Sequence, residues 1–169
     1  NIPTAQLMKR VAYVAQDNFL FDTSIRENLK IAKADATDEE IQTALKAANC
    51  LELIERLPEG LNSNAGDCGK FLSGGERQRI TLARAMLADA QCIILDEATA
   101  YADVENEAKI QEALSRLMKD KTLIVVAHRL NTIVGADQIM VLGHGKIESI
   151  GTHKELIQNS SAYQKLWQS

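Results

Sequence analysis

The chain has 169 residues, enough for one ordinary domain with a hydrophobic core. Hydrophobic residues make up 46% and charged residues 25%, as in globular proteins, and the formal net charge of -4 argues against a nucleic-acid-binding role. Aromatic residues are only 4%, and no apolar run approaches the roughly 20 residues that a membrane-spanning helix needs. The three cysteines fit no zinc-binding spacing, so we expect reduced thiols.

The first half of the chain predicts one short strand followed by helices. Residues 11–15, VAYVA, form a short, apolar and β-rich run. Ser24 can cap a first helix, the capping box at 37–40 opens a second, and a third runs over 51–57 before Pro58. Because no strand is predicted among these helices, we interpret residues 24 to 70 as a helical insertion into the α/β body.

The second half alternates helices with apolar strands. Ser73 begins a helix that is apolar nearly all round, which is typical of an interior position. Strands are predicted at 92–95 and 122–127, and the helix between them has one apolar face, formed by Ile110, Ala113, Leu114 and Leu117. A hairpin at 138–150 and two short helices close the chain. This alternation predicts an α/β fold around a parallel sheet that is covered on both faces.

Residues 72–79, LSGGERQR, contain the most specific pattern in the chain. In the simplest interpretation, Ser73 and Glu76 form a capping box at the start of a helix. Gly74 and Gly75 would in addition let a ligand approach backbone N–H groups at the positive end of that helix. The segment therefore predicts an anion-binding site.

Charged residues elsewhere have competing interpretations. Asp96 and Glu97 directly follow the apolar strand at 92–95, and we favour a chemical role over a merely solvated strand end. For Arg77, Arg79 and Arg84, we favour salt bridges within the domain over phosphate binding.

These motifs, in this order, resemble the nucleotide-binding domain of ABC transporters. The family signature L-S-G-G-Q is matched at 72–76 with Glu76 in place of Gln, and the Walker B strand is matched at 92–96. The resemblance extends from residue 1 to about 165. It implies an incomplete P-loop NTPase-like parallel-sheet core at about 91–169, which carries the Walker B, D-loop and H-loop motifs, and a helical signature subdomain at about 24–90.

The resemblance also implies roles in binding and hydrolysing ATP with Mg²⁺. Glu97 would be the general base, and His128 the switch histidine at the γ-phosphate. Gln16 of the Q-loop would hold magnesium and water, with Asp96 as the other metal ligand. The nucleotide would be bound by Ser73, Gly74, Gly75, Glu76 and Asp103. The D-loop departs from the usual S-A-L-D, since residues 100–103 read AYAD and keep only the aspartate.

Other segments resemble exporter-type domains. They are Phe19-Leu20-Phe21-x-x-Ser24-Ile25-x-Glu27-Asn28, residues 128–133 and residues 151–156. Residues 98–107 are similar to exporter-fold proteins that handle iron siderophores, some of which are importers, so transport direction stays open. The resemblance implies a second nucleotide-binding domain and a transmembrane domain as partners, with Phe19 and Phe21 near the latter. It also implies a location at the cytoplasmic face of the cell membrane.

The sequence contains no P-loop motif G-x-x-x-x-G-K-[ST]. The nearest segment, residues 66–71, has the wrong spacing and no hydroxyl. We therefore interpret the chain as the C-terminal two-thirds of such a domain, and expect it to be inactive as an ATPase by itself. The alternatives are a non-enzymatic module that docks on a P-loop-bearing partner, or an ABC ATPase outside transport.

Overall fold

A computed structural model describes residues 3, 6–7, 10–96, 104–118, 120–127 and 130–168. The chain divides into two compact units, Asn1–Val126 and Ala127–Ser169. The predicted α/β class is confirmed, because parallel strands and helices build the first unit.

In its described residues, the first unit contains three parallel strands and five α-helices. In chain order these are β1 (Val11–Val14), α1 (Ile25–Lys30), α2 (Asp38–Ala47), α3 (Leu51–Arg56), α4 (Gly74–Leu87), β2 (Cys92–Asp96), α5 (Val104–Met118) and β3 (Thr122–Val126). The strands lie in the order β1-β2-β3, with Val14 opposite Leu95 and Asp96 opposite Val126. Helices α1 to α4 follow β1 and precede β2, and α1 to α3 lie within the predicted helical insertion at 24–70. The boundary of the helical signature subdomain near residue 90 stays a prediction.

Local sequence signals explain where the helices begin. Ser24 caps α1, and its side chain accepts a hydrogen bond from the backbone of Glu27. Thr37 forms a capping box with Glu40 at the start of α2. Each such cap satisfies backbone N–H groups that have no partner within the helix.

Helix α4 lies at the centre of the first unit. Ile80 and Leu82 are fully buried, and α4 packs against α1, α2 and α5. The predicted face of α5 is confirmed, since Ile110, Ala113, Leu114 and Leu117 are all buried. Burying a large aliphatic side chain, such as Ile80 or Leu82 of α4, contributes about 1.5–3 kcal/mol to the stability of the fold. Helix α4 is therefore a rigid base for the residues at its N-terminus.

Strand β3 differs from its prediction. We expected a buried strand in a sheet covered on both sides, but Ile124, Val125 and Val126 are 48%, 41% and 46% exposed, and Tyr13 of β1 is also exposed. Among the described residues, β3 pairs with β2 on one side only. An apolar strand composition indicates a strand that is suited to burial, whereas actual burial depends on which elements cover it.

The free edge of β3 predicts self-association of the isolated chain. Unpaired backbone groups beside apolar side chains are a template for pairing with another copy. We expect Val125→Lys to raise the dissociation constant of the associated species about tenfold, which corresponds to about 1.4 kcal/mol. Analytical ultracentrifugation measures this constant. Val134→Lys is the control, since Val134 is also exposed but lies in a turn. A wild-type chain that is monomeric at all concentrations would contradict the prediction.

The second unit is a hairpin followed by two helices. Strands β4 (Ile139–Gly143) and β5 (Lys146–Gly151) pair antiparallel, and α6 (His153–Asn159) and α7 (Ser161–Gln168) follow. The connecting residues His144 and Gly145 have φ of 49° and 73°, the left-handed backbone that a tight hairpin turn requires. This unit has its own small core, made of Ile139, Val141, Leu156 and Tyr163.

In the part of the chain that the structure describes, no helix has the length and apolar composition needed to cross a membrane.

Candidate functional site

The N-terminus of α4 is built by Ser73 and Glu76. The Ser73 hydroxyl accepts a hydrogen bond from the Glu76 N–H at 3.3 Å, and the Ser73 N–H donates to Glu76 Oε2 at 2.8 Å. Ser73 is exposed and Gly74 is half-buried. The predicted capping box is therefore confirmed, and the first turn of a 14-residue helix is presented at the surface.

This helix end has the features of a phosphate-binding site. Gly74 and Gly75 occupy the first two helical positions, whose N–H groups have no acceptor within a helix, and the helix dipole favours negative charge there. The Ser73 hydroxyl accepts the capping bond and still has its own proton to donate. These groups fit a phosphate oxygen.

Glu76 has a second partner that the sequence did not reveal. Its carboxylate forms an ion pair with Arg56 of α3. Burial would raise the pKa of Glu76, but the Ser73 N–H and the Arg56 guanidinium outweigh burial, and the net effect lowers that pKa. Glu76 is thus ionised at neutral pH, while Arg56 offsets its charge beside the anion site. A glutamate at the family's glutamine position is in this way compatible with phosphate binding.

Asp96 lies at the carboxyl end of β2, where Tyr13 contacts it. The Tyr13 hydroxyl donates to Asp96 Oδ2 at 2.9 Å, and this hydrogen bond raises the pKa of Tyr13. The bond orients the carboxylate, and the lone pairs of Oδ1 can serve a metal ion. Magnesium is usually bound by one or two carboxylates together with substrate phosphates, so Asp96 fits it. No cluster of three or more potential metal ligands occurs among the described residues.

Gln16 lies close to the same edge of the sheet. It is exposed in the turn that follows β1, and β1 pairs in parallel with β2. Its backbone carbonyl accepts a hydrogen bond from Asn18 Nδ2 at 3.2 Å. Because Gln16 and Asp96 follow or end neighbouring parallel strands, the fold brings the two predicted metal ligands to one edge.

Three predicted site residues, Glu97, Asp103 and His128, lie outside the described residues. Their chain positions are informative all the same: Glu97 follows β2, and His128 comes shortly after β3. Since Asp96 is opposite Val126, both strands end at this edge of the sheet. The roles of these three residues stay predictions.

Two arginines of α4, Arg77 and Arg84, bond to main-chain oxygens, while the salt bridges predicted for Arg77, Arg79 and Arg84 stay predictions. Arg77 Nη1 donates to the Leu72 carbonyl at 2.9 Å, and Arg84 Nη2 donates to the Phe19 carbonyl at 3.2 Å. Both bonds are made to main-chain oxygens. They attach α4 to the first residue of the signature and to the segment after Gln16.

Phe19 and Phe21 form an exposed aromatic pair beside that attachment. Their rings meet edge to face at 4.9 Å between centroids, and they are 41% and 50% exposed, while Leu20 between them is fully buried. Leu20 therefore anchors the segment, and the two rings face outward.

Comparison with known proteins places these motifs in context. The model of the ABC transporter family matches residues 2–100. The chain is 49% identical over 164 residues to a mycobactin import ATP-binding/permease protein of Mycolicibacterium thermoresistibile, covering 97% of this chain and 18% of that protein. It is 46% identical over 167 residues to an ATP-dependent lipid A-core flippase of Desulfotalea psychrophila, covering 99% of this chain and 29% of that protein.

A solved structure gives the same picture. A bacterial Atm1-family ABC exporter with ATP bound superposes with a TM-score of 0.90 at 32% identity, covering 99% of this chain and 29% of that one. The chain thus spans between 18% and 29% of the length of these proteins.

Proposed function

Since the chain belongs to the ABC transporter family, we propose that it is part of the motor domain that binds and hydrolyses ATP in an exporter-type transporter. The observation that carries this proposal is the capped N-terminus of α4, where the cap Ser73 is exposed, Gly74 is half-buried and Gly75 is buried in the first turn. The names of the relatives support it, since they combine ATP binding with a permease. Relatives of similar identity are named for mycobactin import, lipid A-core flipping and multidrug export, so the proposal specifies neither solute nor direction.

The signature residues bind the terminal phosphate of a nucleotide that the P-loop of a facing domain holds. Ser73 donates its hydroxyl proton, and the N–H groups of Gly74 and Gly75 point along the helix axis toward the phosphate. Glu76 fixes the cap, and Asp103 contacts the facing domain. Fixed donors at this place stabilise charge that develops on the transferring group.

We assign the hydrolytic roles to residues at or after the carboxyl ends of β1, β2 and β3 in the sequence. Asp96 and Gln16 would hold a magnesium ion, which would neutralise charge on the phosphates. Glu97 accepts a proton from the attacking water as general base, and His128 donates a hydrogen bond to the γ-phosphate. The hydrogen bond from Tyr13 keeps the Asp96 carboxylate oriented.

The proposed partners are a second nucleotide-binding domain and a transmembrane domain at the cytoplasmic face of the cell membrane. The exposed rings of Phe19 and Phe21 offer an apolar contact for the transmembrane domain. The formal net charge of -4 gives no support to a nucleic-acid partner.

Gly74→Asp in the full-length transporter tests the phosphate grip. We expect it to lower kcat for ATP hydrolysis by about 10²–10³-fold, as much as the loss of one preorganised donor, because the new side chain keeps phosphate away from the N–H groups. The added carboxylate repels phosphate, yet an acid at a helix N-terminus stabilises the helix, so melting should be unchanged. Gly135→Asp is the control, because a side chain there meets nothing within 4 Å. Full ATPase activity in Gly74→Asp would refute the proposed role of α4.

The isolated chain is expected to hydrolyse no Mg-ATP, because the signature supplies only half of a site. Calorimetric titration and a phosphate-release assay on the purified chain measure this. Magnesium-dependent turnover that Glu97→Gln abolishes would show that these residues build a complete site. If the chain binds Mg-ATP only when a P-loop-bearing partner is added, and no turnover follows, the docking-module alternative would be favoured.

A further inference from the structure

The turn that carries Gln16 is attached to the signature helix by a buried polar contact. Asn18, two residues after Gln16, is only 6% exposed, and its backbone adopts a left-handed φ of 46°. Its Nδ2 donates to the Gln16 carbonyl at 3.2 Å. The buried Asn18 side chain therefore restrains the main chain of the exposed Gln16.

The other end of the Asn18 side chain meets α4. Thr81 is 4% exposed, and its Oγ1 lies 3.0 Å from Asn18 Oδ1 and 2.8 Å from the carbonyl of Gln78 in its own helix. The single hydroxyl proton of Thr81 is shared between these two acceptors. The orientation of the Asn18 amide is consistent on both sides, since its NH₂ faces a carbonyl and its oxygen faces a hydroxyl.

This contact links the turn of the proposed metal ligand Gln16 to the signature helix, which is a rigid element. Thr81 lies about two turns beyond the start of α4, on the same helix as Ser73. Arg84, one turn further, donates to the carbonyl of Phe19 and fixes the far side of the same turn. The helix is buried along most of its length, so a movement of its N-terminus moves Thr81 as well.

We propose that Asn18 is a positioning residue, which attaches Gln16 to the signature helix through Thr81 so that the two move together. This inference rests on the proposed function, because it assigns Asn18 to the support of a residue that would bind magnesium. Pairs of neutral polar side chains buried between elements are costly to leave unsatisfied, which makes such a contact a directional restraint. An apolar pair would fill the same space without setting a direction.

Two variants break the contact while preserving the backbone. Thr81→Val keeps the shape of the side chain and removes the hydroxyl. Asn18→Gly removes the amide and tolerates the left-handed backbone, which an alanine would strain. Thr81→Ser keeps the hydroxyl and should restore wild-type behaviour. Thr43→Val is the control, because the Thr43 hydroxyl donates only to Glu39 of its own helix at 2.7 Å.

The first measurement is hydrogen–deuterium exchange on the chain itself. We expect backbone amides between residues 15 and 19 to exchange about tenfold faster in Thr81→Val and Asn18→Gly, in line with the loss of one hydrogen bond. Thr43→Val and Thr81→Ser should match wild type. Unchanged exchange in both test variants would overturn the proposal.

The second measurement is the magnesium dependence of ATP hydrolysis by the full-length transporter. We expect the magnesium concentration for half-maximal activity to rise about tenfold in Thr81→Val, with kcat within about threefold, because the ligand is displaced while the general base is not. Faster exchange with an unchanged magnesium dependence would reduce Asn18 to a structural residue and overturn the proposal. Full activity of Gly74→Asp would instead refute the proposed function, while the exchange result would still report on the contact.

Discussion

Replacing Glu97 with glutamine in the full-length transporter is expected to lower kcat for ATP hydrolysis by about 10²–10⁴-fold, the usual contribution of a positioned general base. Glutamine has nearly the same shape as glutamate but cannot accept the proton of the attacking water. Glu97 directly follows Asp96, which ends β2 at the edge of the sheet where Gln16 also lies. Nucleotide binding should persist, because the phosphate contacts of the signature are untouched.

Steady-state phosphate release and equilibrium binding of a fluorescent ATP analogue separate these two effects. Glu55→Gln is the matched control, since Glu55 is an exposed carboxylate on α3. Loss of binding together with hydrolysis in Glu97→Gln would show that Glu97 holds the nucleotide and does not act as the base. Wild-type turnover would remove Glu97 from the reaction altogether.

Asn28→Ala is expected to lower the free energy of unfolding of the isolated chain by about 3 kcal/mol. Asn28 is fully buried in α1. Its Oδ1 accepts from the Phe21 N–H at 2.8 Å, and its Nδ2 donates to the carbonyls of Phe21 and Ser24 at 3.0 and 3.1 Å. Alanine leaves the Phe21 N–H without its acceptor, which costs about 1–3 kcal/mol, and each lost side-chain bond to a carbonyl contributes about 0.5–1.5 kcal/mol. The two carbonyls keep their main-chain bonds, from the Thr23 N–H at 2.8 Å and from the N–H of residue 28 at 3.0 Å.

Urea denaturation followed by circular dichroism measures this loss. Asn62→Ala is the control, because Asn62 is exposed and its side chain accepts only a 3.4 Å bond from Arg26. Equal stability of the two variants would show that water replaces the Asn28 amide at no cost. In the full-length transporter, Asn28→Ala should also loosen the segment that presents Phe19 and Phe21.

Features with local determinants could be predicted from the sequence. The capping boxes at Thr37 and Ser73 were predicted because both partners lie within one turn of helix. The strand at 92–95, which the structure extends to Asp96, was predicted because a short apolar run followed by acids has few other interpretations. The proposal that this helix end binds phosphate rests on the same local pattern.

Contacts between distant segments could not be predicted in this way. Tyr13 and Asp96 are 83 residues apart in the sequence, and no local pattern around either residue indicates that they form a hydrogen bond. In the sequence, Asn28 is only part of an exporter-like motif, whereas in the structure its side chain accepts a hydrogen bond from the Phe21 N–H. The exposure of β3 was missed because an apolar composition shows that a strand is suited to burial but does not show which elements pack against it.

The strand order has a consequence for folding during synthesis on the ribosome. Strand β1 is synthesised well before β2, its neighbour in the sheet, and all of α1 to α4 emerges between the two. Domains acquire structure as synthesis proceeds from the N-terminus, and helices with local contacts form faster than distant strand pairs. Nascent β1 must therefore wait for β2 while the helices fold, and chaperones that shield short apolar segments would act on this interval.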